Sequence, residues 1–217
     1  MPPEALEFGS VAAMDDGAPI AGVAVAVVAD NLDLTGLGRV KLRLPWLPGV
    51  EPWARIASAG AGKNWGTYFI PQIGDEVLVA FQHGDVRDAY VVGSLWSPTA
   101  RPPAATPIDP QQRRAIRTPS GHEIELHEAK QSVTVKTATG QTVTMTPEKI
   151  EVVTTGGTAK VLLETSGSVT VTAAAKIELK APSITLDGAT VDVKGSATVK
   201  VDAGAVCEIK GGLVKIN

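Results

Sequence analysis

The sequence predicts an all-β protein in two unlike parts, a small barrel followed by a long succession of short, stacked strands. Five short apolar segments bounded by Gly, Pro, Asn or Asp turns fill most of the region before residue 97. Apolar pairs spaced two residues apart then recur almost without interruption from residue 121 to the end. The Phe, Trp and Tyr residues all precede residue 97, and the rings beyond it are His122 and His127. The two parts therefore differ in composition as well as in pattern.

The 217 residues suffice for two small domains. A net charge of −3 gives no general attraction for nucleic acid or anionic lipid. Cys207 is the single cysteine, which excludes an intrachain disulfide and a cysteine-based zinc site within one chain. It reads as a small, partly buried strand residue. The opening "MPPEALEFGSVAAMDDG" lacks the basic and apolar regions of a secretory signal, so synthesis in the cytoplasm without a signal peptide is expected. The longest apolar run, Ala21 to Ala29, is too short to span a bilayer as a helix.

Residues 1–20 form an N-terminal extension and residues 21–96 the barrel domain. Its strands are expected at 23–30, 38–45, 53–58, 75–82 and 89–96. In "GRVKLRLP", Val40, Leu42 and Leu44 alternate with Lys41 and Arg43, which assigns one face to the core and the other to solvent. Five such strands in a short stretch suggest a five-stranded OB-fold barrel. Residues 97–120 are Pro-rich and aperiodic, and read as an extended linker.

Residues 121–217 are one pattern repeated. Apolar pairs fall at Ile124/Leu126, Val133/Val135, Val143/Met145, Ile150/Val152 and Val169/Val171. They continue at Ile177/Leu179, Ile184/Leu186, Val191/Val193, Val199/Val201 and Val214/Ile216. In the last third the pairs step by seven or eight residues, through corners such as "APS", "DGA" and "KGSA". An apolar face two residues wide cannot bury itself, so the units must stack along an axis. Either a single-chain β-solenoid or three chains contributing one strand each per layer satisfies that requirement.

A family resemblance bears on the choice. The ordered set "GRVK", the following "PW", "WARIAS", "P-x-I-GDEV-L-V-x-F", "GD" and "VVGSLW" resembles the OB domain of phage baseplate assembly protein V and of valine-glycine repeat protein G (VgrG) spikes. "RTPSGHEIELHE" and the terminal "IKGGLVKIN" are similar to the start and end of the spike's β-helix. The resemblance implies a homotrimer with an intertwined triple-stranded β-helix at 121–217. Its function would be the central spike of a contractile phage tail or phage-tail-like injection system, assembled into the baseplate and piercing the target envelope.

The implied partners are a separate trimeric hub protein at the barrel end, a proline-alanine-alanine-arginine (PAAR) repeat protein at the tip, and transiently the target membrane. Tip docking would fall to Gly211, Gly212, Leu213, Val214, Lys215, Ile216 and Asn217. Ile177, Leu179, Ile184, Leu186, Val191, Val193, Val199 and Val201 would line the trimer axis.

Chemical sites are few. His122 and His127 in "HEIELH" are five apart in a strand-like segment and point to opposite faces, unlike the helical zinc-protease pattern, so no metal is expected. Glu123, Glu125, Asp187, Asp192, Asp202, Lys194 and Lys200 alternate with core positions and read as a solvated face rather than paired catalytic carboxylates. Neither a phosphate loop nor a Ser/His/Asp or Cys/His set is present, so no cofactor and no enzymatic activity are expected. Lys41 and Arg43, with Trp46 and Trp53 nearby, support the alternative of an OB-fold that binds nucleic acid or glycan on a monomeric solenoid. Negative net charge argues against nucleic acid as a partner.

Overall fold

The computed structural model describes residues 19–103 and 111–215. The N-terminal extension at 1–20 therefore lies outside the described residues, apart from Pro19 and Ile20. Fourteen strands are assigned. No helix among the described residues is long and apolar enough to cross a membrane.

The barrel strands are β1 (Val23–Asp30), β2 (Val40–Arg43), β3 (Trp53–Ile56), β6 (Glu76–Phe81) and β7 (Ala89–Leu95). A short hairpin of β4 (Ala61–Gly62) and β5 (Trp65–Gly66) interrupts the series. The barrel closes in the order β1-β2-β3-β7-β6. Its pairs are antiparallel except β3 with β7, where Arg55 and Ile56 face Tyr90 and Val91 in parallel. This is the five-stranded Greek-key OB architecture. Strand alternation fills the interior: Ala26, Val28, Val40, Leu42, Leu44, Ala54, Val77, Val79, Phe81, Ala89 and Val91 form the core. Val40 and Leu42 are fully buried, as their alternation with Lys41 and Arg43 predicts.

A seven-stranded antiparallel sheet follows: β8 (Arg113–Arg117), β9 (Glu123–His127), β10 (Ser132–Lys136), β11 (Thr142–Met145), β12 (Lys149–Val153), β13 (Ala159–Glu164) and β14 (Val169–Ala173). Each strand pairs with its sequence neighbour, an up-and-down meander made within one chain. β8 lies inside the stretch that reads as linker from sequence. Its alternation is hidden by the three arginines of "RRAIR", and it becomes a strand because Ile116 lies opposite Ile124 and Arg117 opposite Glu123.

From Ala174 to Lys215 the chain carries the strictest alternation in the sequence, yet no strand pairing is assigned there. The same two-residue repeat thus builds a self-paired sheet in one segment and an unpaired path in the next.

Candidate functional site

The sheet's two faces differ in chemistry, and the register shows how. One row across all seven strands is Ile116, Ile124, Val135, Val143, Val152, Val161 and Val171. The row beside it is Arg114, Leu126, Val133, Met145, Ile150, Leu163 and Val169. With strands about 4.8 Å apart, seven of them make an apolar band about 29 Å long. Among the described residues no second layer covers it: Leu126 is 44% exposed, Ile150 43% and Val171 53%.

The opposite face is polar but less open to solvent. Arg113 on β8 pairs with Glu125 on β9. Glu151 on β12 takes Lys149 at 3.0 Å and Lys160 of β13 at 2.6 Å. The Lys160 ammonium, helped by that of Lys149, holds the Glu151 carboxyl below the usual carboxylate range. Glu123 and Glu125 are half-buried rather than fully solvated, because long neighbouring side chains lie over this face.

The apolar set continues beyond the sheet. Ile177, Ile184, Val191 and Val199 are 51–54% exposed, while Leu179, Leu186, Val193 and Val201 are 70–76% exposed. The charges bracket the second residue of most pairs: Glu178 and Lys180 flank Leu179, Asp192 and Lys194 flank Val193, and Lys200 and Asp202 flank Val201. Glu208 and Lys210 flank Ile209 in the same way, 2.6 Å apart. That bracket identifies Cys207 and Ile209 as the apolar pair of the fifth unit, a pair that apolar spacing alone misses because Val206 blurs it.

At the tip, Gly211, Gly212, Leu213, Val214 and Lys215 are exposed. Ile216 and Asn217 lie outside the described residues.

Other sequence candidates have local partners. His122 accepts the Ala138 backbone N–H at Nδ1 and His127 that of Lys130. Lys41 is tied to Glu51 at 2.8 Å. The Trp46 ring meets Phe81 edge-on and its Nε1 donates to the Val25 carbonyl, while Trp53 lies beneath the Arg39 guanidinium. These contacts engage Lys41, Trp46 and Trp53 of the nucleic-acid reading within the barrel itself, while Arg43 is exposed.

The barrel also has a built loop. Asp33 accepts from Thr35 and Arg39, and its carboxylate is 5% exposed. The Arg39 guanidinium, with Thr35, holds its carboxyl well below the usual range. The loop so fixed presents Leu32, Leu34 and Leu37 to solvent, and Leu37 shares a shallow groove with Trp65 and Tyr68.

Residues 24–96, the barrel, match the family model described as the type VI secretion system/phage-baseplate injector OB domain. The chain is VgrG-like. It is 38% identical over 98 residues to the type VI secretion system spike protein VgrG2a of Pseudomonas aeruginosa, covering 42% of this chain and 12% of that protein. Over 109 residues it is 32% identical to the spike protein VgrG3 of Vibrio cholerae, covering 48% of this chain and 10% of that one. VgrG1a of Pseudomonas aeruginosa is 31% identical over 100 residues, which are 43% of this chain and 16% of the relative. The chain thus matches only a small part of the length of these relatives.

Proposed function

We propose that the protein is a homotrimeric central spike of a contractile phage tail or phage-tail-like injection system. In this reading the barrel is its collar and residues from 113 onward its shaft. The observation that carries the reading is the uncovered apolar band, two residues wide, that runs through the sheet and continues into the repeat after it. Together the two segments expose apolar surface on the order of 1,000 Å2, beyond the largest patch of a typical monomer and comparable to one side of a stable interface. Three copies around one axis would place these bands inside a prism and leave the ion-paired faces outside.

The function is mechanical. A prism whose backbone is paired along its whole length resists bending and has few free strand edges, as a membrane-piercing shaft requires. No reaction is assigned to it. A hub at the barrel end and a PAAR repeat protein at Gly211 to Asn217 are the partners suggested by the likeness to VgrG-type spikes. Light scattering of the intact chain tests the reading. A mass near three times 22.5 kDa supports the spike. A mass near 22.5 kDa overturns it in favour of a monomeric solenoid.

A further inference from the structure

The two ends of the barrel differ in chemistry. The chain enters beside the β6–β7 turn, where the Ile20 N–H donates to the Gly84 carbonyl at 3.0 Å. That turn exposes Gln82, His83, Arg87 and Asp88. The chain leaves through Leu95, opposite Glu76 at the start of β6. The loop after β1 and the loop before β6 meet at this leaving end: the Asn31 side chain donates to the Pro71 carbonyl, and a Cβ on Gly38 would touch Tyr68 and Ile70.

The leaving end is apolar and open. Leu34 is 90% exposed, Leu37 71%, Trp65 68% and Tyr68 79%. Leu37, Trp65 and Tyr68 line a groove of about 450 Å3 together with Gly60 and Gly62. Its walls are fixed before anything docks. Asp33 ties the leucine loop through Arg39 and Thr35. Ser58 Oγ donates to the Thr67 carbonyl at 2.7 Å, and the Trp65 indole lies against Gly62. A groove held this way costs little ordering on binding, and large apolar groups gathered in one exposed patch mark a docking surface.

Charge narrows the occupant. Lys63, in the turn of the β4–β5 hairpin, is exposed and has no ion pair among the described residues. The carboxylates of the two loops are engaged locally, Asp33 by Arg39 and Asp75 by the Gln72 N–H. An apolar segment with acidic flanks fits such a surface. The stretch from Glu4 to Asp16 is one: it carries Leu6, Phe8, Val11 and Met14 with Glu4, Glu7, Asp15 and Asp16, and no Lys or Arg. Reach is sufficient. Eleven residues separate Phe8 from Pro19, up to ~36 Å of extended chain, whereas the eight residues of β1 span only ~26 Å.

We propose that the segment from Glu4 to Asp16 folds back along its own barrel and seats Leu6 and Phe8 in the groove beside Leu37, Trp65 and Tyr68, with its carboxylates near Lys63. The seat does not depend on the trimeric reading, which native mass tests separately.

The full chain carrying Cys207→Ala and Thr67→Cys, a cysteine on the groove wall, tests the proposal by its rate of reaction with a maleimide. Adding Leu6→Asp and Phe8→Asp should speed that reaction at least fivefold while circular dichroism stays unchanged. Equal rates overturn the proposal: if both are fast the groove is open, and if both are slow a second copy or another surface covers it. Lys63→Glu should also speed the reaction at least twofold at low salt, and no rise overturns the choice of this occupant. Oxidation of a Phe8→Cys, Leu37→Cys pair should leave monomers on a denaturing gel, whereas a covalent dimer overturns the assignment to the same chain.

Discussion

At the scale of single residues, two side chains report on different parts of the molecule. Asp33 anchors the loop between β1 and β2 through Arg39 and Thr35, and its pKa is depressed in the folded state. A depressed carboxylate contributes stability above its unfolded pKa near ~4, and that contribution is lost as pH falls toward the folded value. Asp33→Asn should therefore melt earlier than the parent at pH 7, with a gap that narrows below about pH 4. Thermal unfolding of the two proteins across that range measures it, and a pH-independent gap would contradict the assignment. Cys207, exposed in the single chain, would take an inward place in the proposed trimer. Its thiol should react at least tenfold more slowly with a maleimide in the native assembly than after denaturation. Equal rates would place it outside the shaft.

The unit of design at the scale of elements is the two-faced sheet. Val143 and Thr144 are adjacent on β11 and point to opposite faces. Thr144 lies opposite Glu151 on the polar face, so Thr144→Lys leaves its ammonium on the ion-paired side of the sheet and should shift stability by less than about 0.5 kcal/mol. Val143→Lys would set three ammonium groups in an apolar layer and should abolish the trimer while leaving the barrel folded. Size-exclusion chromatography and circular dichroism of the two variants make the comparison. Equal behaviour would mean that the apolar row lines no interface.

Much of this level is legible in sequence. Period-two alternation places the barrel strands to within a few residues, and Val40, Leu42 and Leu44 are identified as core. β8 is not legible, because "RRAIR" carries three charges and pairs only through β9. The β4–β5 hairpin is equally hidden, since it depends on the Trp65 indole lying against Gly62, where any Cβ would overlap it. The Cys207/Ile209 pair is recoverable from sequence, but only when the acid–base bracket around Ile209 is used instead of apolar spacing.

For the whole molecule, the proposed trimer would tie folding to association through the apolar band. Val199→Asp in each of three copies would place three carboxylates in one layer of the distal shaft. It should dissociate the assembly, whereas recovery of a trimer that survives SDS would exclude Val199 from the axis. Unfolding of the parent should also depend on protein concentration, as it does when subunits stabilise one another by mass action.

The sequence by itself determines the class of fold and the faces of its strands, because side-chain alternation is a local property of extended backbone. It also carries the likeness to injector OB domains, since that likeness lies in an ordered set of turn and core residues. Only the tertiary structure decides which strands pair within the chain. A two-residue apolar repeat is equally compatible with a hairpin and with a winding strand, and hydrogen-bond partners, not side-chain pattern, distinguish them. The chain takes the first form up to Ala173 and none of its own beyond it.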